Sequence, residues 1–325
     1  MEQIIVRPIQ SQTELTEVLD LLASIFPEER SFFENRLAHD SSYLLDTTWV
    51  ALADGKIAST AQIFPFEVRI QEAKIRVAGV GNVATLPEFR GKGLSKKILL
   101  QQVEWMKENG FPLSLLYTEI PGFYEKLGWI SVPVSVYRFA REDIADQTGQ
   151  ENEYKVRPFT KEDASAAAAI YNSFNEKRTG TRIRTVGYWQ DQLRWGAGTD
   201  DHFLLATKEE KPAAYIRFYI DSNGTLHVSE LCYEPGAKSA ALFLVKEAAW
   251  GQPEIKEIQG HFPADHVLIE QMEGKWEVST DHKAMWNVLD EVVLQQALGG
   301  RKISVDQVIS LLSDANSMLW PMDKF

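Results

Sequence analysis

Apolar residues recur at helical spacing at Leu15, Val18, Leu19, Leu22 and Ile25, just after Ser11 and Glu14, which have the spacing of a capping box. This predicts a helix entered from a short apolar strand that ends in Val6-Arg7-Pro8. The tripeptide returns as Val156-Arg157-Pro158. Thr160 and Asp163 then take the capping places, and Ala164, Ala167, Ala168 and Tyr171 share one face. Trp49-Val50-Ala51-Leu52-Ala53, the turn Asp54-Gly55 and the run from Ile57 read as a hairpin. Phe203 to Thr207, a charged turn and the run from Ala213 to Ile220 repeat that plan. The pattern predicts an α/β chain made of two copies of one layered domain. The first spans residues 1–146 and the second 154–325, joined by a polar stretch at 146–153. A short amphipathic helix at 304–313 and an aromatic tail ending at Phe325 are assigned to the second copy.

Composition narrows the class of protein. The chain has 325 residues, and 44% hydrophobic content with 9 Trp, 10 Tyr and 16 Phe excludes intrinsic disorder. The single Cys232 excludes an internal disulfide and any cysteine-based metal cluster, as suits a reducing compartment. No apolar run approaches the roughly 18 residues needed to span a bilayer, and the start lacks the basic-then-apolar order of a secretion signal. A cytoplasmic protein is expected. The net charge of −12 disfavours nucleic acid and anionic membrane as partners and favours a cationic one. Oligomeric state is not legible.

Against that acidic background one stretch is basic. Arg90, Lys92, Lys96, Lys97 and Lys107 face only Glu104 around a glycine-rich turn, Arg90-Gly91-Lys92-Gly93. The turn follows a strand that Pro87 stops, and it opens a helix whose apolar face is Leu94, Ile98, Leu99, Val103 and Met106. Backbone N–H groups converging at a helix N-terminus make an anion site suited to phosphate. A Walker loop is excluded because Gly93, and not Ser or Thr, follows Gly91-Lys92. Gly79-x-Gly81-x-x-Ala84 formally matches the dinucleotide fingerprint, but Val83, Thr85 and Pro87 argue that strand continues there.

Arg90-x-x-Gly93-x-Ser95 after such a strand resembles the pyrophosphate loop of the GCN5-related N-acetyltransferases, with Ser95 a small-residue departure from Gly or Ala. Phe123-Tyr124-Glu125-Lys126-Leu127-Gly128-Trp129, after a predicted strand Leu113–Tyr117, resembles that family's aromatic-Tyr-x-x-Leu-Gly-aromatic motif. The resemblance implies tandem domains of this type, each a mixed, mostly antiparallel sheet flanked by helices. It also implies acetyl-coenzyme A as cosubstrate, an amine acceptor and no metal. Val83, Ala84 and Thr85 would border its pantetheine arm. Arg90, Gly91, Lys92, Gly93, Leu94, Ser95 and Lys96 would hold its pyrophosphate.

The resemblance places Tyr124 as the general acid near the cofactor sulfur. The base is left open. Many relatives use a Glu on the strand before the loop, where this chain has Gly81 and Asn82. Glu119 is the best placed carboxylate, and water is an alternative. Glu28, Glu29 and Glu34 fall where relatives begin their acceptor-binding helices. The second copy, with Tyr233-Glu234-Pro235-Gly236-Ala237-Lys238-Ser239 at the loop position and no Tyr near 269–276, reads as a degenerate domain that walls the acceptor cleft. That pairing resembles the enhanced-intracellular-survival type of tandem acetyltransferase without its sterol-carrier-like third domain. In that type a terminal carboxylate reaches the active site, which makes Phe325 a second candidate base. A non-catalytic acyl-coenzyme A sensor is the alternative to an enzyme.

Overall fold

The computed structural model describes residues 3–145, 153–195 and 202–325. The first half runs β1 (Ile4–Pro8), α1 (Gln12–Ile25), α2 (Arg30–His39), β2 (Thr48–Ala53), β3 (Lys56–Ile70), β4 (Ala73–Thr85), α3 (Leu94–Glu108), β5 (Leu113–Tyr117), α4 (Pro121–Glu125), β6 (Ile130–Ser131), β7 (Val134–Ala140) and α5 (Arg141–Ala145). The second runs β8 (Lys155–Pro158), α6 (Ala164–Asn175), α7 (Val186–Trp195), β9 (His202–Lys208), β10 (Lys211–Ile220), β11 (Thr225–Tyr233), α8 (Lys238–Trp250), β12 (Glu257–Gly260), α9 (Val267–Gln271), β13 (Trp276–Asp281), β14 (Ala284–Val288), α10 (Glu291–Ala297) and α11 (Val305–Leu312).

The repeated entry motif forms in both halves, with a local difference. Ser11 Oγ accepts the Glu14 N–H, but the Glu14 carboxylate turns to the Gln10 N–H and to Arg7. In the second copy Thr160 and Asp163 complete the reciprocal box, and Arg157 grips Asp163 with two bonds of 2.7 Å. Each half thus fixes its first helix by an Arg–carboxylate fork at the helix start, where a negative charge also favours the dipole. The Asp54-Gly55 turn has both residues left-handed (φ 48° and 85°), the geometry that matches strand twist in a two-residue hairpin.

Among the described residues there are two seven-stranded mixed sheets, ordered β1-β2-β3-β4-β5-β14-β6 and β13-β7-β12-β11-β10-β9-β8. Each takes one strand from the other half of the chain. β7 lies between β12 and β13, with Gly260 opposite Tyr137 and Trp276 opposite Phe139. β14 lies between β5 and β6, with Trp286 opposite Leu115 on one side and Ile130 on the other. The exchanged strands carry core side chains with them. Tyr137 and Phe139 are buried among the second sheet's apolar residues, and Ala284 and Trp286 among the first's.

The division at 146/154 therefore separates the chain covalently but does not separate the packing. Of the joining stretch 146–153, only Glu153 is among the described residues. α11 forms as expected, capped by Ser304 and Gln307, but Val308 and Leu312 pack on the first sheet's core rather than the second's. The segment 180–183 also pairs with the end of β3, Gly180 and Ile183 donating to Arg69 and Glu67 carbonyls at 2.7 Å each. Among the described residues no helix is long and apolar enough to cross a membrane.

Candidate functional site

The first sheet opens at its centre. β4 and β5 pair in parallel from Val77↔Leu113 to Val80↔Leu116, and no further. Beyond that point β4 stays bonded to β3 alone, through Gly81↔Gln62, Ala84↔Thr60 and Thr85↔Ser59. A one-residue bulge lies in this stretch at Asn82, which is left-handed (φ 52°) and donates its side-chain amide to Gln62 at 2.7 Å. The β5-side edge of residues 81–85 thus carries no ladder, and Val83 and Thr85 are half-buried along it. The strand that ends before Pro87 runs from Ala73 to Thr85.

The chain then passes through Arg90, exposed and with Nε 3.4 Å from the Thr85 carbonyl oxygen. Gly91 and Gly93 are both left-handed (φ 78° and 71°), and a Cβ on either would meet open space. Gly93 caps α3 without any side-chain bond to its first N–H groups. Leu94 is buried and anchors the helix, while Ser95, Lys96 and Lys97 point to the rim. Lys92 lies 4.8 Å from the Phe89 ring. A 15-residue helix presents free N–H groups and its positive dipole end here, between exposed lysines.

Tyr124 stands on α4, buried, with its ring edge-on to Phe123 at 4.9 Å and to Trp129 at 6.3 Å. Burial pushes its phenol up to about 12, so it is protonated throughout the neutral range. Among the described residues its hydroxyl makes no hydrogen bond. Glu119 is placed differently: its side chain is three-quarters exposed and its carboxylate pairs with Lys283 at 2.6 Å. Glu28, Glu29 and Glu34 are exposed too, the last paired with Arg30.

The last residues fold into the opening. The Phe325 ring lies against Gly79 and Gly81, stacked on Phe64 at 5.4 Å and bordered by Phe66 at 5.7 Å and Tyr117 at 6.0 Å. The Phe325 main-chain oxygen would be 3.2 Å from a Cβ at Gly81, so it sits at the point where β4 leaves β5. Strand glycines often mark close approach by another group, a signal present in the sequence as Gly79-x-Gly81.

Residues that sequence reading missed hold the tail there. Asp323 is fully buried and accepts from Arg184 Nε and Nη2 at 2.9 Å each, and from Tyr188 at 3.2 Å. Arg184 also forks onto the equally buried Glu230, which accepts from Tyr215. Burial alone would lower the Arg184 guanidinium; Asp323 and Glu230 more than offset it and raise it well above its usual value. Trp320 donates to Asn175 (3.1 Å), Gln192 to the Met322 carbonyl (3.0 Å) and Arg36 to the Lys324 carbonyl (3.2 Å). Arg36 itself lies over Phe64 and Trp195.

Beside the tail is a cavity of about 70 Å³, lined among others by Tyr117, Trp286, His261, Asp281 and Lys324. At the second half's turn before α8, Lys238 pairs with Glu270 at 2.5 Å. Among the described residues no group of three or more His, Cys, Asp or Glu could hold a metal ion.

Residues 6–131 match the family model described as an acetyltransferase (GNAT) domain. No match was found among the curated proteins. Solved structures share the fold across most of the chain. A probable N-acyltransferase from Enterococcus faecalis V583 has TM-score 0.74 at 20% identity, covering 91% of this chain and 74% of that one. A GCN5-related N-acetyltransferase from Anabaena variabilis ATCC 29413 has TM-score 0.74 at 17%, covering 91% and 75%. Eis1 from Mycobacterium abscessus has TM-score 0.64 at 15%, covering 89% and 75%. The split sheet, the left-handed glycines before α3 and this match agree: the first half carries a GNAT acetyltransferase domain, and the chain shares its fold with the solved structures named above.

Proposed function

We propose that the chain is an acetyl-coenzyme A-dependent N-acetyltransferase that transfers acetyl directly to a primary amine in a ternary complex. The observation that carries this reading is the continuous path from the unladdered edge of residues 81–85 to the uncapped N-terminus of α3. The residues fit the cosubstrate. The free edge suits the amides of an extended pantetheine arm, and open space over Gly91 and Gly93 admits a phosphate to the N–H groups from Gly91 to Lys96. Arg90, Lys92 and Lys96 supply charge at the rim. Acetyl-coenzyme A brings an activated thioester; the protein has to orient it and manage two protons.

A free alkylammonium is neutral only about once in ~10³ molecules at pH 7, so a base or a desolvating site is required. We assign the base to the Phe325 main-chain carboxylate of the 325-residue chain in preference to Glu119. The former faces Gly81 at the opening, while the latter is exposed and held by Lys283. Tyr124 is the proton donor to the departing thiolate. Its raised pKa keeps the phenol protonated at neutral pH, so a proton is present when the C–S bond breaks. The acceptor is an amine, and the acidic chain favours a cationic one.

The test is calorimetric titration of acetyl-coenzyme A followed by thiol release with a panel of amines. One site per chain, lost in Gly93→Glu, with turnover that falls in Tyr124→Phe at unchanged affinity, is the expected result. Binding without any turnover would favour an acyl-coenzyme A sensor, and no binding would refute both. For the base, a chain extended by one glycine past Phe325 loses turnover. If the extended chain keeps its activity and Glu119→Gln loses it, the role passes to Glu119.

A further inference from the structure

One amine of the protein itself stands at the mouth of the opening. Lys324 precedes Phe325, and its main chain is fixed by Arg36 at its carbonyl (3.2 Å) and by its own N–H to Pro321 (3.2 Å). Its side chain turns inward. Nζ lies 4.8 Å from the centre of the Tyr117 ring, and Tyr117 is the last residue of β5, at the mouth of the opening where the Phe325 ring also rests.

Tyr117 and the Phe325 ring contact lie on the sheet face where α1 and α2 pack, opposite α3. On β4, Ala84 joins the α1 cluster while Val80 and Ala78 face α3, and Gly79 and Gly81 meet Phe325. Lys324 is the only lysine among the described residues lining the adjoining cavity, whose volume of about 70 Å³ admits roughly two waters or a group of acetyl size. Among the described residues its ammonium makes no ion pair, although Lys283 close by does, with Glu119. Burial lowers the basicity of Lys324 most; the neighbouring carboxylates of Asp281 and Glu119 act in the other direction, and Lys283 adds to the lowering. Only the neutral amine is a nucleophile, and desolvation of Lys324, which has no ion-pair partner among the described residues, raises its neutral fraction.

We propose that Lys324 is an internal acetyl acceptor: with acetyl-coenzyme A bound and no outside amine in the cleft, the enzyme acetylates its own Lys324 Nζ. The inference rests on the acetyltransferase reading given above. The ammonium first gives up one proton to the base; neutral Nζ then forms a bond to the thioester carbonyl carbon. The C–S bond breaks, and the leaving thiolate takes up a proton to give free coenzyme A. The products are acetyl-lysine, thiol and one released proton, with no oxidant or reductant required.

The test uses the full 325-residue chain with acetyl-coenzyme A and no amine, followed by intact mass and peptide mass spectrometry, with cofactor binding measured calorimetrically on the same sample. The expected result is a gain of one acetyl group at Lys324, first order and independent of protein concentration. It should be slowed by an added amine that is a substrate, and absent from Lys324→Arg and Gly93→Glu. Binding without acetylation at Lys324 would overturn this inference alone. So would an equal rate in Gly93→Glu, which would mark uncatalysed chemistry, or a rate that rises with protein concentration. No binding at all would overturn the acetyltransferase reading beneath it, so the two failures are told apart.

Discussion

Replacing Gly79 by alanine tests whether the tail is seated as described. A Cβ at this position would stand 2.5 Å from Phe325 Cζ and 2.6 and 2.9 Å from the two Cε atoms. Carbon atoms prefer about 3.5–4.0 Å, so the ring would have to retreat by about 1 Å. Phe64, Phe66 and Tyr117 close it in on three sides, and overpacking of that kind costs about 1–3 kcal/mol. The backbone adds no penalty, because Gly79 is not left-handed; alanine in place of glycine would by itself gain up to about 1 kcal/mol.

These two contributions separate in a double-mutant cycle. Gly79→Ala should destabilise the parent chain by about 1–2 kcal/mol and should be neutral or stabilising in a Phe325→Ala background, a coupling of about 2 kcal/mol. Denaturant unfolding of the four proteins reads the stability, and thiol release reads the chemistry. With the Phe325 carboxylate as the proposed base, a displacement of about 1 Å should cost on the order of 10²-fold in kcat, while acetyl-coenzyme A binding, proposed at the distant Gly91–Lys96 turn, should be unchanged. Equal destabilisation in both backgrounds would refute the seating of the ring against Gly79. Destabilisation with unchanged kcat would keep the seating but remove the tail from the chemistry.

Two further predictions concern the second half. Asp323→Asn leaves Arg184 paired with Glu230 but takes away the charge that fixes the tail, and should cost about 3 kcal/mol; a loss below about 1 kcal/mol in denaturant midpoints would contradict a closed network. His266 and His261 are pushed down to about 3 and about 4, chiefly by burial. Both native values lie below the unfolded one of about 6.5, so the unfolded chain binds the extra protons. Their stabilisation is complete above pH 6.5 and declines as pH falls from there toward the native values, by up to about 4 kcal/mol together at pH 5. His266→Asn, which keeps an acceptor for the Leu268 N–H, should flatten that slope by about half; equal stability at pH 7 and pH 5 in the parent chain would refute it.

What sequence made legible was local. The repeated Val-Arg-Pro entry, the Asp54-Gly55 hairpin and the glycine turn before α3 are dictated within a few residues by capping, left-handed backbone and helix periodicity. Each formed where its signal lay. The strand exchange had no such signal. β7 alternates as an ordinary half-buried strand and β14 is a short buried run, and nothing in either pattern states which sheet it completes. The tail's anchors were equally silent. Arg184, Glu230 and Asp323 come from three distant stretches, and a charged residue in sequence reads as a surface residue until its partners are brought to it.

The exchange and the anchors give the second half a role other than walling a cleft. Its strand β14 sits beside β5, so it fixes one side of the sheet opening from outside the first half's own covalent segment. Its segment 180–184 pairs with β3 and presents Arg184 to Asp323. The same half therefore positions both the frame of the opening and the tail that enters it. The first half alone would lack the strand between β5 and β6 and would expose Leu113, Leu115 and Val132, which are buried here with Trp286. The second half is therefore part of the first half's packing, because the first sheet is completed by β14.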